Sequence, residues 1–351
     1  MSDPTARVRR AIALLRAGRP VRIDGVGAMA VLAVETATPD MLEVVDSDRA
    51  ARLLISGERA AGLALANRRD AADSAVPVLI AREAWLDGPA ALALADPGRD
   101  LDRTLIGPLI PGPLDFPDVA RTGLQLARSA GLLPALWVLP PTEGAESFSV
   151  DDLRKSAGAV ELLARAKLPL DDMPPTQIVV FRTLADGQEH VVLVIGAFGG
   201  QPPLVRLHSE CLTGDVFGSL KCDCGPQLKE ALRLIGAAGG GILLYLRQEG
   251  RGIGIANKIR AYALQDRGLD TVDANRRLGF ADDERGYAEA AAMLRALGVD
   301  RIRLLTNNPN KVAGLESAGI GVVERVGHHM PANPHNADYL ATKHSRSGHL
   351  G

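Results

Sequence analysis

The chain has 351 residues, 46% hydrophobic and 23% charged, with a formal net charge of −2. That length suits two domains, each with its own core. The even charge excludes a global basic surface for nucleic acid or an anionic membrane, and no apolar run approaches the ~18 residues of a membrane span.

The opening stretch, MSDPTARVRRAIALLRAGRP, lacks the apolar core and cleavage site of a signal peptide. Its arginines raise a transit peptide as one reading. Val8, Ile12 and Leu15 at helical spacing support the other, an ordinary first helix ending at Gly18. We expect a cytoplasmic, reducing compartment, where clustered cysteines more often bind metal than form disulfides. Residues 1–170 are rich in Ala and Leu and hold no cysteine or histidine; all seven histidines fall from His190 onward. Pro-rich stretches punctuate this half at 106–117, 139–144 and 168–177. The last, LPLDDMPPTQ, reads as an interdomain linker and divides the chain into domains 1–170 and 171–351.

Strand and helix signals then alternate. QIVVFRTL and EHVVLVIGAF read as paired strands, and QPPLVRLHS brings a third up to Cys211. PQLKEALRLIGAAG places Leu228, Ala231, Leu232 and Ile235 on one face of a helix. GILLYL is a buried strand, RQEGRGIG a Gly-rich loop, and IANKIRAYALQDRG a helix. ERGYAEAAAMLRALG (helix), RIRLLT (strand), NNPNKVAGLESAG (turn and helix) and GVVERV (strand) complete an α/β layered pattern.

The three cysteines lie together: Cys211, ten residues, then Cys222-x-Cys224. Thiolates are good ligands for tetrahedral zinc, and three protein ligands leave one position for water, as in catalytic sites. Water bound there has a pKa near about 7 and supplies hydroxide to an electrophilic carbon. A closed knuckle with His208 as fourth ligand is a second reading, and three buried thiols without metal a third. In RQEGRGIG, glycines expose main-chain N–H groups to phosphate beside Glu249 and Arg251. The bland reading is a plain strand–helix turn. Lys258, Arg260, Arg276, Arg277, Arg285 and Lys311 add positive charge, which favours an anionic small molecule such as a nucleotide. Taken singly, Lys258, Arg260 and the Arg276–Arg277 pair read as solvated surface.

RLHSECLTGDVFGSLKCDCG, RQEGRGIGIANKIRAYALQDRGLDTVDAN, LGFADDERGY and RLLTNNPNKV together resemble GTP cyclohydrolase II of riboflavin biosynthesis, over roughly 175 to 349. The resemblance implies a layered mixed-sheet α/β domain. It implies a hydrolase of cyclic amidine C–N bonds that releases pyrophosphate and formate from GTP. The product is 2,5-diamino-6-ribosylamino-4(3H)-pyrimidinone 5′-phosphate. It implies one catalytic Zn²⁺ on Cys211, Cys222 and Cys224, Mg²⁺ with the triphosphate, and a homodimer. The implied GTP contacts are Arg206, Leu207, His208, Ser209, Glu210, Gln227, Glu249, Gly250, Arg251, Thr271, Thr306 and Lys311. Asp283 matches the proton acceptor, although it also reads as a helix cap. Tyr262 matches a tyrosine that completes deformylation, although it also reads as a packed helix aromatic. Arg285 matches a residue assigned to attack the α-phosphate. A guanidinium with pKa above about 12 is a poor nucleophile, so a phosphate clamp is the chemically easier role. Lys221 stands where many relatives have Arg. A related hydrolase on another base and a non-catalytic nucleotide-binding regulator are the alternative functions.

In the first half, VRRAIALLRAGRPVRID, ETATPDMLEVV, ERAAGLALAN and ARTGLQLARSAGL are weakly similar to 3,4-dihydroxy-2-butanone 4-phosphate synthase. That resemblance implies an α+β fold. The acidic Mg²⁺ loop of the synthase is replaced by RIDGVGAMAVLAVE, and its histidine has no counterpart before His190. We expect this domain to keep the fold without the chemistry.

Overall fold

The computed structural model describes residues 3–328 except 66, 72, 101–106, 141–143, 282 and 283, together with 330 and 334. The chain forms two compact units. Residues 1–156 and 256–283 make the first, and 157–255 and 284–351 the second.

The first unit opens with α1 (Pro4–Arg16). Asp3 caps it by accepting from Thr5 N at 3.1 Å, and Pro4 supplies a fixed φ at its start. Val8, Ile12 and Leu15 are buried, as their spacing predicts. The helix stops before Gly18, whose φ of +68° suits glycine and where a Cβ would lie 2.5 Å from Thr36 O. There follow β1 (Val21–Gly25), β2 (Gly27–Ala33), α2 (Pro39–Val45), β3 (Arg52–Ile55), α3 (Gly57–Gly62), β4 (Val78–Ile80) and α4 (Gly88–Ala95). Then come β5 (Pro111–Gly112), α5 (Pro117–Ser129), β6 (Ala135–Leu139), β7 (Ser147–Ser149) and α6 (Val150–Ser156). The sheet order is β5-β4-β3-β6-β2-β1-β7, antiparallel except for the β1–β7 pair. Leu32, Leu53, Ile55, Ile80 and Trp137 anchor its core.

The second unit contains β8 (Val160–Lys167), β9 (Thr176–Thr183), β10 (Glu189–Gly196), β11 (Leu204–Ser209), α7 (Cys224–Ala237) and β12 (Gly240–Leu246). After α8 (Gly254–Gln265) and α9 (Thr271–Arg277), it resumes with α10 (Ala288–Ala296), β13 (Arg301–Leu305), α11 (Pro309–Ser317) and β14 (Gly321–Val326). Its sheet runs β14-β13-β11-β12-β10-β9-β8. The first four strands are parallel, and the step from β12 to β8 is antiparallel throughout. One sheet face packs Val179, Val205, Leu207 and Leu304 against Met293, Leu294 and Leu315 of α10 and α11. The other packs Leu204, Leu243 and Leu305 against Ala231 and Ile235 of α7. The result is the expected mixed-sheet α/β layering. No helix among the described residues is long and apolar enough to cross a membrane.

The geometric division differs from one at 170/171. The Pro-rich stretch is the loop of the β8–β9 hairpin, closed by Leu168 N donating to Thr176 O at 3.0 Å. An antiparallel ladder therefore ties β8 to the strand after the prolines, and the units part between Ser156 and Ala157. Residues 256–283 pack with the first unit. Arg260 Nη2 donates to Glu35 Oε1 at 3.0 Å, and Arg277 Nε to Asp100 Oδ2 at 2.9 Å. Ser56 Oγ donates to Gly279 O at 2.9 Å. Asp100 also receives both terminal nitrogens of Arg59, at 2.6 and 2.9 Å. Arg260 and Arg277 are thus structural ties, where the sequence suggested solvated surface.

Candidate metal centre and adjoining polar site

Ligand sites on such sheets form beyond the carboxyl ends of parallel strands. In the second unit, four such ends carry polar loops. Cys211 follows β11, Glu249–Arg251 follow β12, Thr306–Lys311 follow β13, and His328 follows β14.

Between Cys211 and α7 the chain makes a π-helical turn, Leu212–Val216, with Asp215 N donating to Cys211 O at 2.7 Å. The turn carries Cys211 back toward Cys222 and Cys224. All three Sγ atoms lie within 4.8 Å of one another, with 3.6 Å between Cys211 and Cys222. Tetrahedral zinc with bonds of 2.3 Å needs sulfurs about 3.8 Å apart, so the donor set fits the ion. Glycine makes the approach possible. A Cβ on Gly214 would stand 2.7 Å from Cys222 Sγ and 3.1 Å from Cys211 Sγ, and one on Gly225 would stand 2.4 Å from Gly214 O. Hydrogen bonding to Cys211 pushes the Cys222 thiol up. Cys211, Cys222 and burial push Cys224 well above the ordinary thiol range. A cation that stabilises thiolates relieves this crowding, so metal binding and proton release go together.

His208 does not join the thiols as a fourth member among the described residues. Its Nε2 lies 3.1 Å from both Asp215 oxygens. Burial holds its pKa below the ordinary value, against the pull of Asp215. We assign a neutral ring with Nε2–H donating to the carboxylate. Asp215 also accepts from Cys211 N at 3.0 Å and Tyr245 Oη at 2.8 Å. Burial and Asp215 raise the Tyr245 pKa, so the phenol stays a donor. His208 and Tyr245 are register partners on β11 and β12, their rings stacked 5.5 Å apart. Asp215 thus links the metal-bearing turn to the sheet.

Arg206 shares the His208 face of β11, two residues earlier. It is buried, donating to Leu305 O at 3.1 Å and to Gln227 Oε1 at 2.5 Å; Gln227 Nε2 in turn donates to Asp223 at 2.5 Å. Burial lowers the Arg206 pKa to about 10, with Cys224 and Asp223 opposing the shift and Arg285 adding to it. It remains a cation at neutral pH. Lys311, also buried, donates to Leu207 O at 2.7 Å. Thr306 is buried at the end of β13, its Oγ1 accepting from Asn308 N at 3.0 Å.

Glu249 is buried, and its two oxygens accept from Leu212 N at 2.7 Å and Gly250 N at 3.1 Å. Gly250 and Arg251 both take φ of +63°, a left-handed pair that costs the arginine about 1 kcal/mol. That turn aims the Arg251 carbonyl at Glu284 N, 3.1 Å away, so the Gly-rich loop and the Arg285 segment run side by side.

The second unit therefore gathers the thiols, Arg206, His208, Gln227, Glu249–Arg251, Arg285, Thr306 and Lys311 on one set of loops. The Leu207 side chain lies in the core, and only its carbonyl reaches this side. Ser209 ends β11, and Glu210 N donates to Leu246 O at 2.8 Å, with its carboxylate 3.5 Å from Arg247. Tyr262 and Thr271 belong to the first unit. There Lys258 sits over the Tyr262 ring at 5.6 Å, and Thr271 Oγ1 accepts from Gln265 at 3.1 Å. Asp283 lies outside the described residues. Sequence reasoning passed over Asp215, Tyr245, Gly214 and His328. Only the first had a local signal, an acid placed four residues after Cys211.

The family model described as GTP cyclohydrolase II matches residues 161–327. A curated GTP cyclohydrolase-2 from Azospirillum brasilense is 42% identical over 98% of this chain and 93% of its own length. The riboflavin biosynthesis protein RibBA of Bacillus subtilis is 60% identical, over 47% of this chain and 42% of its own. A solved structure of RibBX, a two-domain 3,4-dihydroxy-2-butanone 4-phosphate synthase from A. baumannii, aligns with 86% of this chain and 93% of its own. That alignment has 17% identity and a TM-score of 0.32.

Proposed function

From the premise that the chain belongs to the GTP cyclohydrolase II family, and is an enzyme of that class, we propose that it opens the imidazole ring of GTP at the loops just described. It expels C8 as formate, releases pyrophosphate and yields 2,5-diamino-6-ribosylamino-4(3H)-pyrimidinone 5′-phosphate for riboflavin biosynthesis. The observation that carries this reading is the convergence of three thiols within 4.8 Å beside buried Arg206 and Lys311.

Cys211, Cys222 and Cys224 would hold one zinc ion. Zinc there supplies Lewis acidity and a water acidified toward a pKa of about 7. Asp215 fixes the turn that presents Cys211, through its hold on His208 and Tyr245. The Glu249 carboxylate would accept from the N1–H and 2-amino edge of guanine, a pairing that rejects adenine by leaving polar groups unpaired. Arg206, Lys311, Gln227 and Thr306 bind the nucleotide, helped by Ser209, Glu210, Gly250, Arg251 and Thr271. Arg285 clamps the α-phosphate as charge develops on it. Asp283 accepts a proton, and Tyr262 assists loss of the formyl group. Mg²⁺ accompanies the triphosphate. The enzyme works in the cytoplasm as a homodimer. Its first half, residues 1–170 by sequence, is a synthase-like domain without activity on ribulose 5-phosphate.

The test is GTP turnover by the full chain with zinc and Mg²⁺, followed by mass spectrometry and a formate assay, beside Cys222→Ser. Product and formate from the wild type, both lost in the variant, are expected. Intact GTP with folded, zinc-loaded wild type would sink the reading.

A further inference from the structure

His328 belongs to no motif read from the sequence. It follows β14, the strand at the sheet edge, and its position is fixed by a reciprocal pair of hydrogen bonds. His328 N donates to Asn307 Oδ1 at 2.8 Å, and Asn307 Nδ2 donates to His328 O at 2.7 Å. Asn307 lies in the loop after β13, between Thr306 and Lys311. The ring is 3% exposed, and neither of its nitrogens has a partner among the described residues. An imidazole buried in this way loses its water without replacement, which disfavours burial unless something completes it. Such a group is explained most directly by a ligand that completes it.

The surroundings specify the ligand. Arg206 Nε, a donor, is also buried and without a partner among the described residues. Among charged groups Arg206 bears most strongly on His328, opposing its protonation, and Lys311 acts in the same sense. The opposing acid, Glu230, is committed to Arg233 at 2.6 Å. Burial and then Arg206 hold the His328 pKa at about 3, so the ring is neutral at physiological pH, with one N–H to give. The described hydrogen-bond partners of Arg206 are the neutral Leu305 O and Gln227 Oε1. Buried guanidinium and ammonium groups beside a neutral donor suit an oxygen that carries negative charge.

We propose that His328 is a substrate-contacting residue whose imidazole N–H donates to a phosphate oxygen of the nucleotide, in a subsite shared with Arg206 and Lys311. This rests on the nucleotide reading above and adds the residue at the end of β14. It places the fourth parallel strand in the same role as the other three.

The experiment compares wild type, His328→Ala and His328→Gln as zinc-loaded full chains. It measures kcat and KM for GTP, and the rise in Tm produced by inorganic pyrophosphate. His328→Ala should raise KM about tenfold with kcat within threefold, and should lose most of the pyrophosphate-induced Tm shift. Gln keeps an N–H donor of similar reach and should recover most of both, which a role in packing alone would not give. Unchanged KM and Tm shift in His328→Ala would overturn the proposal while the wild type turns over GTP. So would a loss that Gln does not relieve, since it would mark a packing role. Should the wild type leave GTP intact, the nucleotide reading fails. A His328-dependent Tm shift with pyrophosphate would then still support the anion subsite, and its absence would remove that too.

Discussion

At the scale of single residues, the metal centre depends as much on what is missing from Gly214 as on the thiols around it. A methyl group there would meet two of the three sulfurs at or inside contact distance. We expect Gly214→Ala to fold with the wild-type far-UV spectrum but to retain zinc at least tenfold less tightly, with activity falling in proportion; metal analysis after dialysis against a graded chelator checks this. Full zinc retention would show that the turn moves aside freely. Arg251 invites a second substitution. Its left-handed φ means that Arg251→Gly relieves about 1 kcal/mol of backbone strain. The variant should therefore be slightly more stable in urea yet weaker in GTP turnover, and a loss of stability would contradict the strain argument. The cysteines and the Glu249–Arg251 loop were legible in the sequence because their chemistry is local. Asp215 and Tyr245 were not, because their meeting depends on the β11–β12 register. His328 was not, because an orphaned ring shows only once the sheet edge is folded around it.

At the scale of elements, the strand pattern of the second half was readable in order. β9 to β14 each carry a short apolar run bounded by glycine, proline or charge. The prolines at 169, 174 and 175 misled only in what they separate. Proline favours a hairpin loop as well as a linker, and local composition does not tell the two apart. β8 escaped notice because its residues, VELLARAK, alternate weakly and most are exposed. In the first unit, α1 is tied to α6 through Arg7 and Asp152, with Arg7 Nε 2.9 Å from Asp152 Oδ2. The Arg7 guanidinium, opposed by partial burial and aided by Ser149, lowers the Asp152 pKa from 3.8 to about 2. A carboxylate depressed in the folded state stabilises fully above its unfolded pKa and loses that contribution as pH falls through the folded one. Asp152→Asn should thus cost about 1 kcal/mol at neutral pH, after allowance for solvent screening. The gap between variant and wild type should narrow from about pH 4 toward pH 2 in urea titrations. A gap that stays constant over that window would assign the effect to packing.

At the scale of the whole molecule, the first compact unit is built from two stretches far apart in the sequence. Its stretch 256–283 rests on Ser56, Arg59, Asp100 and Glu35. A fragment of residues 171–351 would leave that stretch without these partners. Arg260 and Arg277 would each lose the carboxylate they donate to, Glu35 and Asp100. We expect amides in 256–283 to exchange at least tenfold faster in the fragment than in the full chain, by hydrogen-exchange mass spectrometry. Equal exchange would show that the helices hold their shape alone. The ties at Glu35 and Asp100 bear on heredity. On the proposal that the first half has lost its own chemistry, substitutions in it are tolerated where they spare the fold and these ties, of which Glu35 is one. Its deletion is another matter, since one genetic cut would strip four anchors from a stretch that carries Tyr262 and Thr271. The ties act as a ratchet: a first half so anchored can change its chemistry more easily than it can be discarded.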